Sequence, residues 1–171
     1  MLNRVSCTYS TDKTAVTIAF SSLGITPEES AQRRSEVLQG AAAVHDFLWD
    51  SGLINENTSA MEKARIYYRW ICENCVYDYG ADRDSLSHTA WSVFNRGIGV
   101  CDGYTGAYNL LLKLEGIECY ALSSPDHMWT VAVLDGQTLH IDTTWGDSSG
   151  TFTDFSYFGM TPEQSWSHHS W

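Results

Sequence analysis

The sequence predicts an α+β domain in which helices precede a run of strands. Thr26 and Ser59 each begin a segment with helical periodicity, and each is followed three residues later by glutamate, the pattern of a capping box. A further helical segment ends at Gly116, after which short apolar stretches flank a two-residue turn at Asp135 and Gly136. Helices followed by consecutive strands are typical of α+β proteins.

The composition is that of a globular protein with one domain. The chain has 171 residues, 43% of them hydrophobic and 13% aromatic, a length that can bury a core without disulfides or metals. We expect a single domain, with residues 1–58 as an amino-terminal extension of strand and helix and residues 59–171 as the core. Ten basic and twenty-one acidic residues give a net charge of -11, which disfavours nucleic acid and anionic lipid as partners.

The sequence leaves the location and the oligomeric state of the protein open. No apolar run reaches the roughly 20 residues that span a bilayer, so no membrane span is expected. The first residues lack the apolar stretch of a secretory signal. The expected location is therefore the cytoplasm if the chain is complete, and the exterior or the cell surface if it is a fragment of a longer secreted protein.

Two helices are predicted in the first half of the chain. The first follows Thr26, has a proline in its first turn and runs to about Trp49. The second follows Ser59 and carries apolar side chains at helical spacing. Upstream of both, apolar stretches at residues 5–9 and 16–20 could pair as a short hairpin or form an extended arm.

The cysteines and histidines do not indicate a metal site or a disulfide framework. There are five cysteines at irregular spacing, so at least one thiol is free. Cys72 and Cys75 have the spacing of a redox pair or of half a zinc site, but no second pair accompanies them, and we favour two buried helical thiols. His88 is expected at a helix start, and His168 and His169 in a terminal loop that could lie near an active-site mouth. No metal or other cofactor is expected.

Cys101 is predicted to stand at the amino end of a helix. Residues 87–94 have the pattern of a short helix closed by Gly97, and a glycine-rich stretch leads from there to Cys101. Residues 101–115 then have helical periodicity. The partial positive charge at a helix amino end favours the ionised, nucleophilic form of a thiol. The neighbouring Asp102 carboxylate opposes ionisation, which makes a charged imidazole partner more necessary.

The strands that follow predict a pair of a histidine with an aspartate. Strands are expected at residues 117–121, 129–134 and 139–142. The two-residue turn would place Asp142 opposite Trp129, and His127 lies two residues before Trp129 on the same face. His127 and Asp142 then become diagonal neighbours, with backbones about 7–8 Å apart. His140 shares the face of Asp142 and could compete, but it lies deeper in the hairpin, so we favour His127.

Cys101, His127 and Asp142 have the residue types of a nucleophile, a general base and an orienting carboxylate. Asp142 would hold the imidazole so that its other nitrogen faces the Cys101 sulfur. Taken alone, a cysteine at a helix start is better explained as a buried structural thiol than as a nucleophile. The predicted hairpin favours the catalytic interpretation, and we therefore predict these three as the catalytic residues.

Three blocks of the sequence resemble those of the transglutaminase-like superfamily. The blocks are Gly97-Ile-Gly-Val-Cys101-Asp-Gly-Tyr104, His127-Met-Trp129, and Ile141-Asp142-Thr-Thr-Trp145-Gly-Asp147. They occur in the family order, and the resemblance covers the segment from about Tyr77 to the carboxy end. The portion before about Ser59 carries no such signal. Thr130 stands where many members have asparagine, a departure expected to alter local packing and not the triad.

This resemblance implies a papain-like core, in which a helix with the nucleophile packs on an antiparallel sheet that carries the histidine and the aspartate. In this chain, further helices would precede that core. The resemblance also implies Cys101 as the nucleophile, His127 as the general base and acid, and Asp142 as the orienting carboxylate. A peptide or a protein is the substrate that it implies.

Aromatic residues are the candidates for the remainder of the site. The backbone N–H of Cys101 is the first candidate donor to an oxyanion. Family members often supply an aromatic side chain from upstream of the nucleophile, a role that Tyr77 or Tyr79 could fill, although both could equally be core residues. Trp129 and Trp145 could wall the cleft, or could pack within the hairpin.

The sequence therefore predicts a thiol-dependent amide-bond enzyme that forms an acyl-thioester on Cys101. Transfer of the acyl group to water would make it a cysteine peptidase or amidase, and transfer to an amine would make it a protein-glutamine transglutaminase. We favour hydrolysis, because the compact domain resembles the hydrolytic members and has no acidic calcium-binding loop. A non-catalytic binding module on the same fold is a different possibility, against which the complete triad argues.

Overall fold

The computed structural model describes residues 3–9, 16–22, 25–82, 85–148 and 152–169. Its helices are α1 (Pro27–Asp50), α2 (Ala60–Asn74), α3 (Ala90–Arg96), α4 (Cys101–Leu114), α5 (Thr143–Gly146) and α6 (Pro162–His168). Its strands are β1 (Asn3–Tyr9), β2 (Val16–Ser22), β3 (Val76–Tyr77), β4 (Ile98–Gly99), β5 (Cys119–Ser123), β6 (Met128–Leu134), β7 (Gln137–Ile141) and β8 (Phe158–Met160). Short 3₁₀ turns occupy Leu86–His88 and Phe155–Tyr157. No helix within these ranges has the length and hydropathy needed to cross a bilayer.

Within the described ranges, the strands form separate sheets. β1 and β2 pair antiparallel, so of the two alternatives that the sequence leaves open for this segment, the structure has the paired strands. β3 and β4 form a short parallel pair just before the helix that carries Cys101. The largest sheet is antiparallel and has the order β5-β6-β7-β8. The mixture of helices with an antiparallel sheet confirms the predicted α+β class.

Both predicted capping boxes are present, and α1 and α2 begin where the sequence predicts. The Thr26 hydroxyl accepts a hydrogen bond from the Glu29 N–H at 3.1 Å, and the Glu29 carboxylate accepts one from the Thr26 N–H at 2.7 Å. Ser59 and Glu62 repeat this exchange at the start of α2. These contacts satisfy N–H groups that the first helical turn leaves without intrahelical partners.

The predicted short helix over residues 87–94 is instead divided in two. The 3₁₀ turn ends at His88, and Thr89 has an extended backbone (φ -128°, ψ 147°) before α3 begins. The Thr89 hydroxyl donates to the Leu86 carbonyl at 2.6 Å, a local bond that competes with helix continuation. α3 ends at Gly97, whose φ of 62° lies in the left-handed region that glycine adopts most easily.

α4 lies at the centre of the core, in contact with α1, α2 and α3 and with β5 and β6 of the large sheet. Fully buried tyrosines fill much of the space around it, and their hydroxyls are hydrogen-bonded. The bonded pairs are Tyr67 with Glu115, Tyr68 with the Asp154 carbonyl, Tyr104 with Asp147, and Tyr108 with the Ala64 carbonyl. The abundance of tyrosine in the sequence therefore serves the core as well as the cleft.

Two side-chain hydrogen bonds fix α4 to β6. The Thr105 hydroxyl donates to the Met128 carbonyl at 3.0 Å, and the Thr130 hydroxyl donates to Asn109 Oδ1 at 2.7 Å. Thr130 is the residue that departs from the family pattern, and its hydroxyl connects the sheet with the helix that carries Cys101. The helix and the hairpin are thus held at a fixed separation.

Gly103, in the first turn of α4, is the point at which this helix passes closest to the 3₁₀ turn. A Cβ at Gly103 would lie 2.4 Å from the Ser87 carbonyl oxygen. We expect Gly103→Ala to lower the free energy of unfolding by about 1–3 kcal/mol, since backbone would have to shift to relieve the overlap. Urea denaturation monitored by circular dichroism measures this loss.

Gly106→Ala is the matched control on the same helix, because its nearest contact would be Ala90 Cβ at 3.8 Å. This substitution should be neutral, or should stabilise the protein by up to about 1 kcal/mol through helix propensity. Equal unfolding free energies for Gly103→Ala and Gly106→Ala would contradict the close approach of α4 to Ser87.

Candidate active site

Cys101 is the first residue of α4, as predicted, and its side chain is half-buried. The preceding Val100 has an extended backbone, and its N–H donates to the Ser87 carbonyl at 2.9 Å. The N-cap residue Val100 has an apolar side chain and makes no capping bond. The partial positive charge of the helix amino end is therefore available to an anion at Cys101.

The Asp102 carboxylate, beside the thiol, is paired with His88. Nδ1 of His88 lies 2.9 Å from each carboxylate oxygen, and Nε2 lies 3.0 Å from the Asp82 carbonyl oxygen. Both ring nitrogens thus lie within hydrogen-bond distance of oxygen atoms. Asp102 Oδ1 also accepts from the Gly103 N–H at 3.1 Å. The negative charge next to Cys101 is accordingly offset by neighbouring donors.

The hairpin of β6 and β7 has the predicted register. Thr130 pairs with Ile141, and the turn residues Asp135 and Gly136 have φ values of 49° and 81°. Positive φ at both positions is what a two-residue type I′ turn requires. The strand pairing stops at Ile141, and Asp142 becomes the N-cap residue of α5.

His127 and Asp142 meet at the open end of this hairpin. The His127 Nε2 lies 2.6 Å from Asp142 Oδ2. The Asp142 side chain is completely buried, whereas that of His127 keeps 12% of its surface exposed. The imidazole stacks on Trp145, with ring centroids 4.6 Å apart and planes at 8°. The pair therefore has a buried carboxylate at one end and an imidazole that reaches solvent at the other.

The Asp142 carboxylate accepts hydrogen bonds on both oxygens. Oδ1 accepts from the N–H groups of Thr144 at 2.9 Å and Trp145 at 3.1 Å, and Oδ2 accepts from His127 and from His169 Nε2 at 3.0 Å. Burial by itself raises the pKa of Asp142, but the hydrogen bonds from His127 and His169 outweigh it and hold the pKa below its usual value. Asp142 is therefore ionised at neutral pH.

His127 is protonated more readily than an ordinary histidine. Burial by itself lowers its pKa, but hydrogen bonds with Asp142 and with Cys101 more than offset burial and raise the pKa to about 9. Because Nε2 is engaged with Asp142, the contact with the sulfur belongs to Nδ1. A protonated imidazole thus stands between the Cys101 sulfur and the Asp142 carboxylate at neutral pH.

His140, the alternative partner of Asp142 in the sequence, has a different contact. Its Nδ1 accepts a hydrogen bond from Trp129 Nε1 at 3.0 Å, so the other ring nitrogen carries the proton of the neutral ring. Burial, and secondarily the nearby His169, lowers the pKa of His140. Trp129 is fully buried and packs beneath the imidazoles, so this tryptophan does not wall the cleft.

His169 is a site residue that the sequence interpretation placed in a terminal loop. It directly follows α6, is buried, and contacts Asp142. A third capping box, formed by Thr161 and Gln164, begins α6 and could have predicted that helix. No local sequence pattern indicates that the carboxy end of α6 packs against Asp142, because this placement depends on contacts with residues far away in the sequence.

The cleft beside His127 has a volume of about 640 Å³. Its lining residues are Tyr77, Tyr79, His127, Thr144, Trp145, Asp147, Tyr157 and His168. Tyr77 packs edge-on against Tyr79, with ring centroids 4.9 Å apart, and Tyr79 is 86% exposed. Burial, with smaller contributions from nearby Cys101 and Asp102, raises the pKa of Tyr77. Both tyrosines and Trp145 therefore face the space in which a substrate would meet His127.

Cys101 differs from the other cysteines whose side chains the structure describes, because Cys72, Cys75 and Cys119 are buried. Burial raises the pKa of Cys72 well above its usual value and that of Cys75 to about 11. Cys72 also contacts the Thr143 carbonyl at 3.4 Å. Cys72 and Cys75 thus have the environment of core thiols.

His127, Asp142 and His169 form a group of possible metal ligands, with ligand atoms within 4.8 Å of one another. Asp142 Oδ2, however, lies 2.6 and 3.0 Å from the two nitrogens, and these are hydrogen-bond distances. Ligands of a tetrahedral zinc ion, each 2.0–2.2 Å from the metal, would stand about 3.3 Å apart. The spacing fits hydrogen bonds between the carboxylate and the two rings.

Comparison with known proteins finds one family and several relatives. The family model described as "Transglutaminase-like superfamily" matches residues 49–143. Two curated relatives, both named Kyphoscoliosis peptidase, from Homo sapiens and Mus musculus, are each 25% identical over 114 residues; the match covers 56% of this chain and 17% of each relative. A crystal structure described as that of a TGase has a TM-score of 0.54 at 15% identity, over 88% of this chain and 40% of that one.

A half-buried cysteine at a helix start, beside a histidine and an aspartate on a hairpin, is the arrangement of cysteine enzymes that act on acyl groups. The family match covers more than half of the chain, including all three of these residues, and the chain belongs to the transglutaminase-like superfamily. The resemblance seen in the sequence is thereby confirmed. The similarity to the TGase structure supports the same fold.

The raised pKa of His127 has a consequence for stability. A histidine whose pKa is higher in the folded than in the unfolded state stabilises the fold. This contribution is complete when the pH is below the pKa of the unfolded state, and it is lost as the pH rises through the pKa of the folded state. For His127 this window runs from 6.5 to about 9. We expect the difference in unfolding free energy between the unmodified protein and His127→Gln to shrink across this window.

Nuclear magnetic resonance titration of the ring protons gives the second measurement. The resonance that is missing in His127→Gln should titrate near pH 9 in the unmodified protein. A midpoint close to 6.5, the ordinary value for histidine, or an unfolding difference that does not vary with pH, would contradict the hydrogen bonds of His127 with Asp142 and Cys101.

Proposed function

We propose that the protein is a thiol-dependent amide-bond hydrolase that forms an acyl-thioester on Cys101 and passes the acyl group to water. The observation that carries the proposal is the placement of His127, which contacts the Cys101 sulfur on one side and the ionised Asp142 on the other. The thiolate form of Cys101, paired with the protonated imidazole of His127, is the form that attacks a carbonyl carbon.

In the first half of the reaction, the Cys101 sulfur attacks the carbonyl carbon of a substrate amide. His127 gives the proton on Nδ1 to the leaving nitrogen, the C–N bond breaks, and the acyl group remains on sulfur as a thioester. In the second half, His127 takes a proton from water, the resulting hydroxide attacks the thioester carbonyl, and the sulfur leaves. Asp142 stays ionised throughout, selects the ring tautomer and stabilises the imidazolium.

The negative charge that develops on the carbonyl oxygen needs hydrogen-bond donors. The Cys101 N–H, at the uncapped start of α4, is the first candidate. Tyr77 is the second, since its raised pKa keeps the hydroxyl protonated at neutral pH and its ring lies near Cys101. Tyr79 and Trp145 line the cleft and are proposed to contact the substrate on either side of the reacting bond.

Hydrolysis is favoured over transfer to an amine because the two curated relatives reported above are named peptidases. The two outcomes differ in the product. Incubation with a peptide library in the presence of a primary amine, followed by mass spectrometry, should give free carboxylate products. Incorporation of the amine would instead identify a transglutaminase, and the absence of both products would favour a binding module.

Cys101→Ala should abolish turnover of the library peptides and leave the fold intact, because the covalent step needs this sulfur. The control carries the same substitution at two buried thiols, Cys72→Ala with Cys75→Ala, and should keep the chemistry. Rates are measured beside near-ultraviolet circular dichroism. Near-full activity in Cys101→Ala would refute the nucleophile, and loss of activity in a folded double variant would revive a redox role for Cys72 and Cys75.

Asp142→Asn should lower turnover by roughly 10²–10⁴-fold, somewhat less than in serine triads, because the sulfur and imidazole are already paired before substrate arrives. Because His127 would be less basic, the rate of Cys101 alkylation by iodoacetamide should begin to increase at a higher pH in the variant than in the unmodified protein. The alternative is that His140, and not His127, is the partner of Asp142. In that case Asp142→Asn would leave the turnover rate and the alkylation profile unchanged, whereas His140→Ala would change both.

A further inference from the structure

His169 is bonded at both ring nitrogens, and apart from helping to keep Asp142 ionised it has no role in the proposed chemistry. Nε2 lies 3.0 Å from Asp142 Oδ2, and Nδ1 lies 3.0 Å from the Ser165 carbonyl oxygen and 3.1 Å from the Ser165 hydroxyl. The side chain is only 1% exposed. Because the ionised Asp142 can only accept, Nε2 must carry a proton and donate it.

The ring of His169 is also held on its faces. It stacks against Trp129, with ring centroids 4.0 Å apart, and against Trp145, with centroids 4.3 Å apart. Its plane is within 17° of that of His127. With the ring packed against two tryptophans and both nitrogens bonded, its orientation is fixed, and its Nε2 meets the same carboxylate oxygen, Oδ2, as His127 does.

We propose that His169 is a positioning residue that acts through Asp142: its Nε2 holds the carboxylate in the plane in which Oδ2 meets His127. The amides of Thr144 and Trp145 anchor Oδ1, but they leave the direction of Oδ2 to its own partners. His127 is partly exposed and contacts the substrate cleft. His169 is buried, and so it is the partner that can fix Oδ2 while His127 exchanges protons.

This inference rests on the triad proposed above, and the experiment separates the two. Its readout is iodoacetamide alkylation of Cys101 over a range of pH, followed by mass spectrometry of the peptide that carries Cys101, which needs no substrate. The titratable groups near His169 are Asp142, His127, His140, and, in the adjoining cavity, Tyr77, Asp126 and His168. They are the same in every variant that changes His169 alone.

Two substitutions separate the effect of losing the hydrogen-bond donor of His169 from the effect of losing its aromatic ring. His169→Phe keeps a flat ring between Trp129 and Trp145 but removes the donor, and His169→Gln keeps an N–H that can reach the position of Nε2 but removes the ring. For His169→Phe, we expect alkylation at neutral pH to fall about 10-fold and its rising limb to move up by about one pH unit, the loss expected for one hydrogen bond to a charged group. His169→Gln should stay within about threefold of the unmodified protein.

The controls keep the result interpretable. Ser167→Ala, on the exposed side of α6, should match the unmodified protein in both rate and profile. Near-ultraviolet circular dichroism checks that each variant is folded, and His169→Leu serves as a second variant without a donor if the ring of phenylalanine does not fit.

The outcomes differ by role. Loss in His169→Gln with retention in His169→Phe, or equal losses in both, would show that the ring matters for packing, and would overturn the proposal. A rising limb that moves to lower pH in His169→Phe would also overturn it, because His169 would then be withdrawing charge from Asp142 and not positioning it. Failure of Cys101 to react in the unmodified protein would overturn the triad, and the role of His169 with it.

Discussion

The burial of the Asp142 charge is the constraint on which the rest of the site depends. Its side chain has no exposed surface, and an ionised carboxylate in that position is strongly unfavourable unless its oxygens are hydrogen-bonded. The donors come from the segment before β6 through His127, from the first turn of α5 through Thr144 and Trp145, and from the end of α6 through His169. One charge thereby couples the positions of elements that are distant in the sequence.

The aromatic rings around Asp142 strengthen the electrostatic interaction of its carboxylate with the His127 imidazole. Trp129 and Trp145 lie parallel to both His127 and His169, at interplanar angles between 8° and 19°. Rings packed in this way keep water away from Asp142, and a hydrogen bond in a medium of low polarity is electrostatically stronger than one in water. Among these four rings, that of His127 lines the cleft and keeps 12% of its side-chain surface exposed.

The parts of the fold that the sequence predicts are those with local signals. Capping boxes located the helix starts, and the two-residue turn set the register that brings His127 to Asp142. Thr89 interrupts the predicted short helix because its hydroxyl donates a hydrogen bond to the backbone of the preceding turn. Helical periodicity in the sequence does not predict this local bond. His169 could not be predicted, since its contact with Asp142 spans 27 residues and depends on how the aromatic rings pack.

Asp102 illustrates how a local argument changes once its surroundings are known. In the sequence, its negative charge opposes ionisation of the adjacent Cys101. In the structure, the carboxylate is hydrogen-bonded to His88 and to the Gly103 N–H. These neighbours reduce the electrostatic effect of its negative charge on the Cys101 sulfur. The same contacts hold the 3₁₀ turn against α4, where the Ser87 carbonyl binds the backbone just before Cys101. Asp102 thus organises the start of the helix that carries Cys101, and an acidic residue at this position is compatible with the nucleophilic role proposed for that thiol.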